Sequence, residues 1–114
     1  MAEAAALLGK PIAERIRSRI QAETPPGLRP CLAVVVASDD AAVARYAAAK
    51  QRTADALGLG FRVEAVDPAG GQAALDARIA ALSADPGVHG ILLELPLAAG
   101  LDVEVAIRQL DPLK

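Results

Sequence analysis

Apolar residues return every fourth position near the start of the chain. Ile12, Ile16 and Ile20 share one face, with Glu14, Arg15, Arg17 and Arg19 between them, so the spacing predicts an amphipathic helix over residues 10–23. Pro11 suits its first turn, where an absent N–H costs nothing, and Thr24-Pro25-Pro26-Gly27 ends it. The pattern then changes to an unbroken apolar run, CLAVVVA at 31–37, which reads as a strand buried on both faces. Ser38-Asp39-Asp40 supplies cap residues for an alanine-rich helix over 41–57, closed by Gly58. FRVEAV at 61–66 alternates and predicts a strand with one wetter face. After the loop DPAGG, a helix over 72–84 aligns Leu75, Ile79 and Leu82. A turn at Asp85-Pro86-Gly87 leads into VHGILLEL at 88–95, a third strand stopped by Pro96, and a short helix is expected over 102–110.

The predicted order is α-β-α-β-α-β-α. Strands that alternate with helices imply right-handed crossovers, and hence an α/β fold: a three-layer, open, mainly parallel sheet with helices on both faces. No internal repeat or low-complexity linker interrupts residues 1–114, which are expected to form one domain.

Composition narrows the function classes. Hydrophobic residues make up 54% of the chain, much of it alanine, so the core must come from Val, Ile and Leu. The formal net charge of −2 gives no basic surplus for nucleic acid, and no apolar run reaches the ~20 residues that a bilayer requires. The amino-terminal stretch lacks the pattern of a secretory leader, and the chain is expected to be cytoplasmic. The single cysteine, Cys31, excludes an internal disulfide and a cysteine-rich metal site, and is expected to be a buried small hydrophobe. No metal site is predicted.

Candidate chemistry concentrates at the carboxyl ends of the strands, where open α/β sheets bind ligands. Tyr46 is the only tyrosine, and Lys50 follows it by four residues, so both project from one helix face near that rim. Glu94 lies at the end of the third strand, in reach of the same rim. Two readings remain for these residues. One is a solvated helix face beside a glutamate pointing to water. The other is a ligand platform, with a flat ring, a proton donor or acceptor, and a carboxylate. His89, without a second His or Cys nearby, suits a hydrogen-bonded structural role. Ser38 has no triad partner in the sequence, Asp39-Asp40 suits a helix cap, and Gly70-Gly71 lacks the dinucleotide-binding fingerprint.

Several stretches together resemble a known family. LLGKPIAERIRSRI at 7–20, RPCLAVVVASDDAA at 29–42, YAAAK at 46–50 and DPGVHGILLELPL at 85–97 are similar, in order and spacing, to the amino-terminal domain of bifunctional methylenetetrahydrofolate dehydrogenase/methenyltetrahydrofolate cyclohydrolases. The resemblance implies that Tyr46 stacks on a folate and that Lys50 is the catalytic lysine. It also implies that Glu94, Leu95, Pro96, Leu97 and Val43 line the substrate site. By the same resemblance, NADP or NAD binds a separate carboxy-terminal nucleotide-binding domain, absent here, so this domain alone holds no cofactor. The parent enzyme is expected to be a homodimer.

The sequence departs from the family pattern in four places. Glu94 stands where the family usually has glutamine, Val43 where it usually has serine, and Ala98 where a second loop proline is usual. The Asp-Val-Asp-Gly stretch that usually follows a Pro-x-Lys such as Pro112-Leu113-Lys114 is not in the sequence, which is expected to be an excised domain and inactive alone. The glutamate has a chemical consequence. A lysine in water titrates near ~10.4 and must shed its proton to act as a base. An ionised Glu94 within about 4–6 Å would favour the ammonium. The parent is therefore expected to retain the dehydrogenase reaction with a reduced or altered cyclohydrolase, unless Glu94 is itself protonated in a dry cleft and imitates the amide. Two alternatives from other classes stand beside this reading: a pteridine-binding module without chemistry, and a flavodoxin-like signalling domain with Asp39-Asp40 as its acidic site.

Overall fold

The structure, a computed structural model, describes residues 3–114. The valine-rich run forms β1 (Cys31–Val36), the central strand of a three-stranded, wholly parallel sheet. β2 (Gly60–Ala65) pairs with it from Cys31↔Gly60 to Val36↔Ala65, and β3 (Gly90–Leu93) from Leu32↔Gly90 to Val35↔Leu93. A central position explains the unbroken apolar run. Ala33 and Val35 face one side, Val34 the other, and all three are fully buried.

Helices cover both sides. α1 (Gly9–Glu23) precedes the sheet, α2 (Ala41–Ala56) links β1 to β2, α3 (Gly71–Ala84) links β2 to β3, and α4 (Val103–Ile107) follows β3. On one face, Leu75, Ile79 and Leu82 of α3 and Ala106 of α4 join Ala33, Val35, Ala37 and Val88 in the main core. α2 contributes Val43, Ala47 and Ala54 to the buried set, as its i, i+4 spacing requires. Ala47 and Ala54 carry only a methyl group, so α2 can lie close to the sheet.

The predicted ends are held by specific bonds. The Asp40 carboxylate accepts from the Ala42 N–H at 2.8 Å and caps α2. Gly58, at φ +72°, turns the chain out of α2, and the Leu59 N–H donates to the Ala54 carbonyl at 2.9 Å. At Gly60 a Cβ would lie 3.2 Å from that of Cys31, so the glycine permits the close approach of β2 to the start of β1. Asp102 caps α4 through the Glu104 N–H at 2.8 Å. Gln72 fastens that cap to α3, accepting from the Asp102 N–H at 2.7 Å and donating to the Asp102 carbonyl at 3.2 Å.

Four expectations need adjustment. β3 covers only four residues of the predicted 88–95, because Val88 is buried ahead of the ladder and Glu94 leaves it toward the rim. The last helix is shorter than predicted and ends in a turn held by Ser83, whose hydroxyl donates to the Gln109 carbonyl and accepts from the Asp111 N–H. Cys31 is half-buried, since it starts β1 at the sheet's open end. The amphipathic helix exists, but no residue of α1 is buried: Ile12 and Ile16 are 52% and 55% exposed. Among the described residues, no helix is long and apolar enough to cross a membrane.

Candidate active site

The site is assembled where β1 and β3 end. The Glu94 N–H donates to the Val35 carbonyl at 2.9 Å, so Glu94 lies beside the last turns of the β1 ladder although it is outside β3. Farther along, the Ala98 N–H donates to the Ala37 carbonyl at 2.8 Å and draws the loop back over the end of β1. The Leu95–Pro96 peptide bond inside that loop is cis. These bonds fix the glutamate against the helix that leaves β1.

That helix is α2, and Lys50 lies in its third turn. The Lys50 ammonium Nζ is 2.7 Å from both Oε1 and Oε2 of Glu94. The two partners differ in their access to water. Glu94 is only 7% exposed, whereas the Lys50 side chain is 40% exposed. A carboxylate this deep would be costly without a cation, and Lys50 supplies one from the solvent side. An ammonium has three N–H donors. With one N–H to each Glu94 oxygen, a third remains available to a ligand.

Tyr46 sits one helical turn earlier and is 59% exposed, with its ring on the open side of the same face. The structure thus brings Tyr46, Lys50 and Glu94 to a common rim. Leu95 and Pro96 are exposed beside them, and Leu97 is half-buried against the main core. Val43 is a correction: its side chain is fully buried. One turn before Ala47 on the inward face of α2, it packs in the interior and offers a ligand no surface. His89 is also structural in placement, since its Nδ1 accepts the Cys31 N–H at 3.0 Å and its backbone N–H donates to the Cys31 carbonyl at 2.9 Å.

Two charged groupings escaped the sequence reading. Glu64 on β2 binds Arg62 at 2.7 Å and Arg78 of α3 at 2.6 Å, while Arg62 also binds Asp85 at 3.0 Å. This network ties β2 to α3 and to the turn before β3. The Asp85 bond, with help from Glu64, holds the Arg62 guanidinium still more firmly protonated. Asp85 is held below its ordinary range, first by the Gly87 N–H and then by Arg62. The second grouping is a cleft of about 550 Å³ between α1 and α2, lined by Arg17, Gln21, Arg52 and Thr53 among others. Arg62 and Glu64 stand two apart on one strand and share a face, but Arg78, Asp85 and the two sides of the cleft come from separate elements, so spacing within one element did not disclose either grouping.

Comparison with known proteins agrees with this geometry. Residues 7–114 match the family described as tetrahydrofolate dehydrogenase/cyclohydrolase, catalytic domain. The bifunctional protein FolD of Deinococcus radiodurans is 47% identical over 111 residues, covering 92% of this chain and 37% of the relative. The crystal structure of the bifunctional FolD enzyme of Campylobacter jejuni superposes with a TM-score of 0.86 at 26% identity, over 93% of this chain and 39% of that one. The Trypanosoma brucei methylenetetrahydrofolate dehydrogenase-cyclohydrolase, solved with NADP and an inhibitor, shares the fold with a TM-score of 0.84 at 24% identity, over 98% of this chain and 40% of that one. The chain therefore spans less than two-fifths of the length of the FolD protein that it matches at 47% identity. With the match running over almost all of the sequence and through the rim that carries Tyr46, Lys50 and Glu94, this chain belongs to the tetrahydrofolate dehydrogenase/cyclohydrolase family and corresponds to its catalytic domain.

Proposed function

We propose that this chain is the folate-binding part of an enzyme that oxidises methylenetetrahydrofolate with NADP or NAD and hydrolyses methenyltetrahydrofolate. The observation that carries the reading is the Lys50–Glu94 contact, with both carboxylate oxygens 2.7 Å from Nζ and the Tyr46 ring exposed one turn away. Tyr46 offers a stacking face for a flat heterocycle, and Lys50 meets the reacting carbon's polar neighbours. Leu95, Pro96 and Leu97 form the edge of the same surface.

The turn from β1 into α2 does not fit a dinucleotide. It is Ser38-Asp39-Asp40, which caps the helix with a carboxylate and lacks the glycines that admit a pyrophosphate. NADP or NAD therefore belongs to a second domain of the parent enzyme, and the chain alone is proposed to bind folate without turning it over.

Glu94 sets how Lys50 works. Hydrolysis of the methenyl group needs a proton taken from the attacking water and one given to the departing nitrogen. With Nζ directed at both Glu94 oxygens, Lys50 is placed to donate hydrogen bonds, and it has no free acceptor position aimed at the attacking water. The parent is thus proposed to favour oxidation over hydrolysis. Glu94→Gln in the parent should raise the hydrolytic rate relative to the oxidative rate by about tenfold, equivalent to ~1.4 kcal/mol of barrier. Both rates are followed on the same preparation. An unchanged ratio would remove Glu94 from the mechanism while leaving the family intact.

A further inference from the structure

Gln72 lies outside the rim surface, yet its side chain grips the loop that closes it. It stands half-buried in the first turn of α3. Its amide oxygen accepts the Asp102 N–H at 2.7 Å, and its Nε2 donates to the Asp102 carbonyl at 3.2 Å. Nε2 also donates to Asp76 Oδ1 at 2.8 Å, one helical turn on. Turned the other way, the amide would set its NH2 against the Asp102 N–H and its oxygen against a carboxylate, so its partners fix its orientation. Gln72 thus holds both polar groups of one backbone residue, as a neighbouring strand would.

The loop runs from Glu94 to Asp102 and is hydrogen-bonded to the rest of the fold at three points. The Glu94 N–H bonds the Val35 carbonyl and the Ala98 N–H the Ala37 carbonyl, both at the end of β1. Beyond Ala98 the chain turns through Ala99 and Gly100, closed by the Leu101 N–H on the Ala98 carbonyl at 3.2 Å, with Gly100 at φ +89°. That exposed turn contains the most permissive residue type and adds little stiffness. Leu97 and Leu101 rest on the main core, but apolar contact is non-directional and does not fix a backbone position. The directional restraint beyond Ala98 is therefore the grip of Gln72 on Asp102. On the near side of Ala98 lies Glu94, with both oxygens 2.7 Å from the Lys50 Nζ. A backbone displacement of about 1 Å is enough to spoil such an alignment.

We infer that Gln72 is a positioning residue of the folate site: from α3 it fixes the far end of the Glu94–Asp102 loop, and so keeps Glu94, Leu95 and Pro96 in place against Lys50 and Tyr46. The inference rests on the folate reading above. Gln72 acts through Asp102 and the loop backbone.

Gln72→Met keeps the volume and the helix preference while removing the three side-chain bonds. Ser83→Ala is the control. Ser83 stands near the other end of α3, and its hydroxyl also makes two backbone bonds, to Gln109 and Asp111, away from the rim. Amide hydrogen exchange of each chain is read by NMR without ligand, and folinic acid, a stable tetrahydrofolate, is titrated into each. In Gln72→Met, exchange at Glu94 and Ala98 should quicken about tenfold beyond any change at Ala33, Val34 and Val35 of β1, a local opening rather than a global one. Folinic acid should bind about fivefold more weakly, the scale of one lost hydrogen bond. Ser83→Ala should change neither the relative exchange nor the affinity. Exchange that quickens only in step with β1 overturns the inference, because it marks lowered overall stability. Local opening with unaltered affinity overturns it too, as does an equal loss of affinity in Ser83→Ala. If Gln72→Met does not fold, Gln72→Glu, which keeps an acceptor for the Asp102 N–H, carries the same comparison. If the natural chain does not bind folinic acid, the folate reading falls, and the exchange data alone decide whether Gln72 holds the loop.

Discussion

Tyr46 and Lys50 share a helix face but have different neighbours. The lysine is neutralised by a buried carboxylate, whereas the tyrosine ring meets mostly solvent. A ring left open beside an ion pair gains most from a flat partner, because stacking removes apolar surface from both sides. Tyr46→Ala should weaken folate binding to this chain by about 1–3 kcal/mol, the range found for aromatic–base stacking. Calorimetric titration measures it, and an unaltered dissociation constant would return Tyr46 to the status of a solvated surface group. The Tyr-x-x-x-Lys spacing announced that the two residues share a face. The strand-end rule put Glu94, forty-four residues beyond Lys50, at the same rim, but it did not disclose that both of its oxygens would meet the amine. That contact depends on the Glu94 N–H bonding the end of β1. Val43 shows the opposite error. Its position in a family motif suggested a ligand contact, but the helical phase that exposes Tyr46 turns Val43 inward.

Among the elements, the turn from α3 to β3 carries the clearest dependence on pH. The Asp85 carboxylate accepts the Gly87 N–H at 2.8 Å and binds Arg62 of β2 at 3.0 Å. Both favour its ionised form, so its titration lies below the ordinary 3.8. The unfolded chain binds that proton first. The stabilisation is therefore complete above the unfolded value and is lost as pH falls through the lower folded one. Asp85→Asn should lower the melting temperature at pH 6, and the difference from the natural chain should vanish toward pH 2. A difference independent of pH would show that the turn depends on shape rather than on charge. The turn itself was legible as Asp85-Pro86-Gly87. Its link to Arg62 was not, because parallel strands bring together residues separated by a whole crossover.

At the scale of the molecule, the structure divides into a packed sheet and a helix that stands partly away from it. The radius of gyration is 17.0 Å, against about 13 Å for a compact domain of this length. Stability should follow that division. Ile79→Ala removes a fully buried side chain and should cost about 2–5 kcal/mol in urea unfolding, while Ile16→Ser on exposed α1 should change it by less than about 0.5 kcal/mol. Comparable losses at both positions would mean that α1 is docked on the core in solution. The sequence by itself determined the alternation of helices and strands, the two-sided burial of the valine run and the caps at Asp40 and Gly58, because periodicity and local hydrogen bonding act within a few residues. Tertiary structure decided which amphipathic faces were covered, where Glu94 met Lys50, and that Arg17 and Arg52 would share a cleft. Those outcomes require chain segments distant in sequence to be brought together, and a spacing rule within one element carries no information about what lies across from it.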